Sequence, residues 1–290
     1  MLAPLAGADE AGTHARGVIH LPDAGGESLQ LTGPAQRIIT LAPHLTELAY
    51  YAGIGDRLVA TVTYSDFPAA AAELPQIGDA FRFDLERMVT LEPDLVIAWD
   101  SGNSEAALTT MTQLGLPVWR TRIASVQDMA DVLRQLGHAT AISTDGIASA
   151  VEARWADIIS ARDRHASVSF FYQIAERPLY TVNGEHLISQ GLSACGGVNV
   201  FEDLPTLAPQ IGPEAVLQAD PQVIFTGYGG GDTDPLAHWR NWPRMAAVQH
   251  DGLFTLEADL INRATPRFLD AIDTACALLD DYRVRTAALP

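Results

Sequence analysis

The stretch Leu85-Glu-Arg-Met-Val-Thr-Leu-Glu-Pro-Asp-Leu-Val-Ile-Ala-Trp-Asp-Ser-Gly-Asn103 decides the fold class of this chain. Its pattern predicts a short helix, Leu85 to Leu91, that stops near Pro93, followed by a wholly apolar strand, Leu95 to Ala98. A strand without alternation of apolar and polar residues is typical of a parallel sheet that helices cover on both faces. Ligands of such sheets bind at the carboxyl ends of the strands, which is where Trp99 falls.

The same pattern occurs a second time, 128 positions further along the chain. Glu86 precedes Pro93 by seven positions and Glu214 precedes Pro221 by seven positions, and an apolar strand and a polar turn follow each proline. Strands and helices alternate around both copies, which is typical of α/β units with crossover helices. The repeat therefore predicts two α/β lobes of the same design.

The segment between the two copies predicts a helical connector. Thr144 to Arg164 has no proline and no glycine after Gly146, and its apolar residues fall at helical spacing. We expect it to be the longest helix in the chain, about 30 Å long, and a rigid bridge within 143–166. The fold class is then α/β, with two Rossmann-like lobes, 17–142 and 167–290, joined by one long helix.

The net charge and the composition of the chain exclude several classes of protein. The net charge is −18, and all 18 basic residues are arginines, so the surface is unsuited to a nucleic-acid backbone. No apolar run reaches the roughly 18 residues that a membrane span needs. Residues 1–16 lack a cationic start and an apolar core, so they predict a disordered tail rather than an intact signal peptide.

Motifs for catalysis are weak in this sequence. The glycine-rich loop Gly227–Asp232 lacks the GxGxxG spacing and the lysine of a phosphate loop. His44 and Glu47 have a spacing that a metal site can use, but no cysteine or second histidine lies near them in the sequence. We therefore expect no enzyme, no metal site and no cofactor; the alternative from a different class is a two-domain enzyme that uses the glycine-rich loop for a nucleotide.

A ligand cleft between the lobes is better supported. Aromatic and polar residues cluster at predicted carboxyl ends of strands, a composition suited to a large planar or amphipathic ligand. Asp259 and Arg263 lie four positions apart and form an intramolecular ion pair as readily as a ligand contact. The residues of this set are Tyr64, Trp99, Tyr172, Tyr228, Asp259, Asn262 and Arg263.

The two cysteines, Cys195 and Cys276, are either buried thiols or a pair. A disulfide between them would close a loop of about 80 residues and contribute about 4–5 kcal/mol on the chain-entropy model. It would also indicate an oxidising compartment such as the periplasm.

Several motifs resemble the cobalamin-binding branch of the helical-backbone class of periplasmic substrate-binding proteins. The resemblance runs from about Arg37 to Tyr282, nearly the whole chain, and implies a monomeric exported protein whose signal peptide is absent from this sequence. It also implies capture of cobalamin or a related corrinoid between the lobes, and delivery to an ABC permease and its ATPase. The motifs are Arg37–Leu48, Tyr64–Pro68, Leu85–Val89, Pro93–Trp99 with Gly102 and Asn103, Cys195–Phe201 and Arg263–Arg267.

The resemblance assigns roles to individual residues. Tyr64 and Trp99 match aromatic residues that contact cobalamin, and Asp259 and Arg263 match polar residues near the ligand. Phe81, Tyr172 and Asn262, which rest on their places in the sequence and not on a match to family residues, complete the set of expected ligand contacts. Two further pairs match the family: Glu86 and Glu214 match the carboxylates, one per lobe, that dock onto permease arginines, and Cys195 and Cys276 match the family disulfide.

The chain departs from the family where further aromatic residues line the cleft. The corresponding positions are Ala80, Ile174, Ala208 and Leu260, and the candidates to refill that space are Phe81, Phe83, Tyr172 and Trp239. A less aromatic cleft leaves open a ferric siderophore or haem as the ligand. Ferric siderophores are often anionic, so this alternative requires cleft arginines, for which Arg82, Arg177 and Arg263 are the candidates.

Overall fold

The structure is a computed structural model that describes residues 18–26, 28–161, 166–231 and 233–287. The predicted tail, 1–16, and residues 162–165 of the predicted connector lie outside the described residues. Within these ranges, no helix combines the length and the apolar character needed to cross a membrane.

The first lobe is built on a four-stranded parallel sheet with the order β4-β3-β5-β6. An antiparallel hairpin, β1 (Ile19–Pro22) and β2 (Ser28–Leu31), precedes this sheet in the chain. The strands of the sheet are β3 (Ile38–Thr40), β4 (Leu58–Ala60), β5 (Leu95–Trp99) and β6 (Val118–Thr121), and the helices are α1 (Pro43–Tyr51), α2 (Leu85–Thr90), α3 (Glu105–Gln113) and α4 (Val126–Thr140).

The predicted connector is helix α5 (Asp145–Ser160), which lies between the two lobes in the chain. Its 16 described residues span about 24 Å. Glu152 pairs with Arg134 of α4 at 2.6 Å, and Arg154 pairs with Asp273 of the C-terminal helix at 2.6 Å. The middle of the connector is thus attached to one helix of each lobe, which favours a stiff bridge over a free hinge.

The second lobe repeats the sheet of the first. Its order is β10-β7-β11-β12, again all parallel, with a small antiparallel pair beside it. The strands are β7 (Val168–Gln173), β8 (Ala175–Glu176), β9 (Leu179–Tyr180), β10 (Gly197–Asn199), β11 (Val223–Tyr228) and β12 (Leu253–Glu257), and the helices are α6 (Leu187–Ala194), α7 (Pro213–Ala219), α8 (Ala246–Gln249), α9 (Ala258–Ile261) and α10 (Phe268–Ala287).

The two sheet orders confirm the predicted repeat. In each lobe the first strand lies between the second and the third, and the fourth lies at the edge. One expectation is wrong: the connector is not the longest helix, because α5 has 16 residues and ends at Ser160, whereas α10 has 20. The exact lobe boundaries, 17–142, 143–166 and 167–290, stay predictions.

Burial on both faces explains the apolar strands. In β5, Leu95 and Ile97 belong to a core that continues through α5 into the second lobe, whereas Val96 and Ala98 belong to a separate core on the other face. Alternate residues of a strand point to opposite faces, so a strand covered on both sides must be apolar throughout.

A disulfide joins Cys195, at the end of α6, to Cys276 on α10. Both residues are fully buried. The predicted pairing is therefore confirmed, and it ties the last helix to the second sheet.

Replacing both cysteines by alanine should lower the free energy of unfolding by about 4–5 kcal/mol, because the bridge closes a long loop in the unfolded chain. Urea unfolding of the oxidised protein and the double variant measures this difference. A variant as stable as the parent would show that the bridge contributes nothing to stability.

Candidate functional site

A cleft of about 660 Å³ lies between the lobes at the carboxyl ends of the strands. The first lobe contributes aromatic and polar side chains, including Tyr64, Trp99 and Arg122. The second lobe contributes a largely aliphatic wall together with Asn262 and Arg263; the aliphatic residues are Leu187, Ile188, Leu207 and Ile261. Four of the seven predicted ligand contacts therefore line one cleft.

Trp99 is held in place by the polar turn that follows β5. The backbone N–H of Trp99 donates to Asn103 Oδ1 at 2.7 Å, and Asn103 Nδ2 donates to the carbonyl of Ala80 at 2.9 Å. Gly102 packs directly on the indole, where an added Cβ would come within 2.0 Å of the ring. The rings of Trp99 and His44 also form an edge-to-face contact, with 5.2 Å between their centroids.

Tyr64 stands at the mouth of the cleft with 79% of its surface exposed. Its backbone is left-handed, with a φ of 66°, a conformation that costs a residue with a side chain about 1 kcal/mol or more. The carbonyl of Tyr64 accepts a hydrogen bond from Arg263 across the cleft at 3.3 Å. A ligand that extends out of the cleft would cover the exposed ring.

Arg263 is only 11% exposed and is surrounded by carboxylates. Its guanidinium lies 2.9 Å from Asp259 and 2.9 Å from Asp66 of the other lobe. The intramolecular ion pair between Asp259 and Arg263, one of the two predicted possibilities, is therefore present. Asp259 is not itself part of the cleft lining and is connected to it only through this ion pair with Arg263.

Two further predicted contacts, like Asp259, do not line the cleft. Tyr172 is 1% exposed and donates its hydroxyl to Asn262 Oδ1 at 3.1 Å, so it supports a cleft residue from the core. Burial raises the pKa of this hydroxyl. Phe81 is 69% exposed on a loop outside the lining.

The candidates for refilling the missing aromatic positions also lie elsewhere. Trp239 is fully buried and donates its indole N–H to Gln173, and Phe83 packs against the outer core of the first lobe. Next to Ala208, one of the positions where the family has an aromatic residue, Leu207 contributes to the aliphatic wall of the second lobe. The cleft is therefore aromatic on one side and aliphatic on the other.

Glu47 joins the lobes beneath the cleft, a role that the sequence did not indicate. Its side chain is fully buried on α1 and accepts hydrogen bonds from Thr265 Oγ1 at 2.7 Å and from Arg267 Nε and Nη2 at 2.7 and 2.8 Å. The bonds to Glu47 raise the pKa of Arg267. We call Glu47, Thr265 and Arg267 the clamp. Among the described residues, no group of three metal-ligating side chains includes Glu47 or His44.

The cleft arginines are already paired. Arg122, which was not predicted, lies 2.5 Å from Asp100, and Arg120 bridges Asp100 and Glu105. Although burial opposes it, hydrogen bonds from Arg122 and Arg120 lower the pKa of Asp100. Arg82 and Arg177, the other arginines expected for an anionic ligand, do not line the cleft.

Two histidines of the cleft lining were also missed as ligand-site residues. His44 lies in the first turn of α1 in the first lobe. His186 is the N-cap of α6 in the second lobe, where its Nδ1 accepts the backbone N–H of Ile188 at 3.2 Å. Burial lowers the pKa of each to about 4, with Arg263 adding to the effect at His44. Both imidazoles are neutral at pH 7.

The described part of the glycine-rich loop, 227–231, does not have the structure of a phosphate site. A phosphate loop leads directly into a helix whose amide groups bind the anion. Here Gly227 lies within β11, which ends at Tyr228. The next helical element is the short 3₁₀ helix Ala237–Asn241, so the loop does not lead directly into an α-helix. The structure gives no support to the nucleotide alternative.

Glu86 and Glu214, the predicted docking residues, occupy equivalent places. Each is exposed in the first turn of a short helix, α2 or α7, that precedes the third strand of its sheet. Neither forms an ion pair with a described residue. Both carboxylates are thus available to a partner.

The chain is similar to known proteins in both sequence and structure. The periplasmic binding protein family matches residues 38–260. The vitamin B12-binding protein of Vibrio cholerae serotype O1 is 40% identical over 250 residues, which is 85% of this chain and 90% of the relative. That of Yersinia pestis is 34% identical over 252 residues, 85% and 88% of the two chains.

The solved structures agree with the sequence matches. The periplasmic vitamin B12 binding protein BtuF of Vibrio cholerae aligns with a TM-score of 0.79 and 38% identity, over 86% of this chain and 98% of that one. The periplasmic haem-binding protein RhuT from Roseiflexus aligns with a TM-score of 0.75 and 21% identity, over 86% and 99%, and shares the fold. The predicted fold class is confirmed.

Replacing Glu47 by glutamine should lower the free energy of unfolding by about 3 kcal/mol or more, because it leaves the half-buried Arg267 without a carboxylate. The matched control is Glu152→Gln, which breaks an ion pair at the surface of the connector. We expect the control to cost less than about 1 kcal/mol in urea unfolding. Equal losses in the two variants would contradict a structural role for the clamp.

Proposed function

This chain belongs to the periplasmic binding protein family, and on that premise we propose that it captures cobalamin or a related corrinoid in the periplasm. It holds the ligand between its lobes and delivers it to the membrane permease of an ABC importer. Proteins of this family bind ligands and do not catalyse reactions, as the sequence predicted. The vitamin B12-binding relatives, which align with most of the chain, support the choice of ligand.

The chemistry of the cleft walls supports a corrinoid. A corrin is a broad macrocycle with apolar faces and an edge of amide side chains. Trp99 and Tyr64 offer aromatic surface, and the aliphatic wall opposite offers matching apolar surface. Asn262 and Ser101 offer hydrogen bonds for amide groups at the edge.

The single observation that carries the proposal is the charge balance of the cleft. Arg122 and Arg263 both line it, and both are already paired with carboxylates. A ferric siderophore with negative charge, or a haem with two propionates, requires unpaired cations. Cyanocobalamin carries no net charge and places no such demand on the cleft.

Glu86 and Glu214 are proposed to dock onto the permease. They are exposed and equivalent in the two lobes, so each lobe presents one carboxylate to a partner. We further propose that the protein is exported and acts as a monomer, since one copy supplies both carboxylates.

Purified protein should bind cyanocobalamin and cobinamide and should not bind an anionic ferric siderophore. Calorimetry and quenching of tryptophan fluorescence measure the three titrations. Trp99→Leu should weaken corrinoid binding about tenfold or more, because it removes an aromatic face from the cleft. Trp242→Leu, which alters a tryptophan outside the cleft, is the control. Siderophore binding with no response to either corrinoid would overturn the proposed ligand.

Glu86→Arg or Glu214→Arg should block uptake into vesicles that contain the permease and ATPase, while corrinoid affinity stays within about twofold of the parent. The reversal places like charges at the proposed interface. Glu73→Arg and Asp281→Arg apply the same charge change to exposed sites elsewhere on each lobe and should leave uptake intact. Loss of corrinoid binding with normal docking would contradict these roles.

A further inference from the structure

His44 occupies an unusual place on the wall of the cleft. It follows Pro43 in the first turn of α1, just beyond the carboxyl end of β3. Its imidazole is half-buried and borders the cleft, in an edge-to-face contact with the indole of Trp99 at an interplanar angle of 85°. The ring therefore stands beside the aromatic surface on which the proposed ligand would lie.

The imidazole of His44 has a lone pair that nothing described in the chain uses. No described residue forms a hydrogen bond with either ring nitrogen. Burial, with Arg263 adding to it, lowers the pKa to about 4, so the ring is neutral at pH 7. A neutral imidazole with a free lone pair is among the commonest protein ligands for a transition metal.

His186, the other histidine of the cleft, is in a different state. Its Nδ1 accepts the backbone N–H of Ile188 at 3.2 Å and caps α6. In the neutral ring the proton is then on Nε2, which is a donor and has no lone pair to give. His186 suits a hydrogen bond to a ligand carbonyl, whereas His44 suits a metal.

We propose that His44 binds the cobalt of a corrinoid whose upper axial position carries an exchangeable water. This inference rests on the proposed function. The bond from cobalt to water breaks, the lone pair of a His44 nitrogen forms the new bond, and water leaves as a neutral molecule. Cobalt keeps its oxidation state, so no oxidant or reductant is needed.

The proposal makes the cleft selective for one form of the ligand. Aquocobalamin exchanges its axial water, and cyanocobalamin holds its cyanide firmly. The parent protein should therefore bind aquocobalamin more tightly than cyanocobalamin, by about tenfold or more, which corresponds to about 1.4 kcal/mol. A hydrogen bond from His44 to the corrin edge would produce no such difference.

Absorption spectroscopy of the complete protein with aquocobalamin tests the proposal directly. Replacement of water by imidazole shifts the main near-ultraviolet band of the corrin, and we expect this shift with the parent protein and none with His44→Gln. His138→Gln, at an exposed position on α4, should keep the shift. His186→Asn, which retains a capping side chain, should keep it as well.

The outcomes separate the two proposals. If both corrinoids bind with equal affinity and the parent shows no band shift, His44 is not a cobalt ligand, and the proposed function stands. If the shift is lost in His186→Asn and kept in His44→Gln, the assignment to His44 is wrong. If neither corrinoid binds, the proposed function fails and this inference with it. Should His44→Gln fail to fold, the spectra of the parent and of His186→Asn decide the matter: no shift in the parent, or a shift lost in His186→Asn, overturns the assignment.

Discussion

The buried carboxylate of Glu47 is the constraint on which the arrangement of the two lobes depends. A charge with no exposure to water is stable only where partners surround it, and the described hydrogen-bond partners of this one, Thr265 and Arg267, come from the second lobe. Thr265 and Arg267 must therefore stay against α1. Because they are close in sequence to Asn262 and Arg263, the same constraint positions these two polar residues of the cleft.

The connector and the clamp act at different places. Helix α5 is paired to α4 through Glu152 and to α10 through Arg154, and a continuous apolar core runs along it. The clamp joins the lobes a second time, beneath the cleft. A hinge needs a few residues that are free to change conformation, and two rigid attachments leave little room for one. The cleft is thus formed before the ligand arrives, which lowers the free-energy cost of binding.

A feature of the structure could be predicted from the sequence where neighbouring residues carry its pattern. The apolar run Leu95–Ala98 and its repeat at Val223–Thr226 are local patterns, and they predicted both sheets correctly. Trp99 was placed on the cleft because strand ends are readable from the sequence. The ligand roles of the residues that line the cleft stay predictions.

The features that could not be predicted from the sequence depend on contacts between residues that lie far apart in the chain. Glu47 accepts a hydrogen bond from Arg267, which lies 220 positions further along the chain. Nothing in the sequence pattern around Glu47 indicates a partner at that distance. Tyr172 was placed on the cleft because it is aromatic at a strand end, yet its strand lies at the centre of the second sheet, where the ring is covered. Phe81 was predicted as a ligand contact because it follows Ala80, a position where the family has an aromatic residue. Its side chain is exposed on a loop outside the cleft.

The most direct measurement of the central claim is the distance between the lobes with and without ligand. Spin labels on ketone-bearing residues introduced at Thr110 and Gln218, both exposed, would leave the disulfide intact. Pulsed electron resonance should give one narrow distance distribution whose mean moves by less than about 2 Å on adding cyanocobalamin. A broad distribution in the free protein, or a larger closure on binding, would contradict an arrangement fixed by the connector and the clamp.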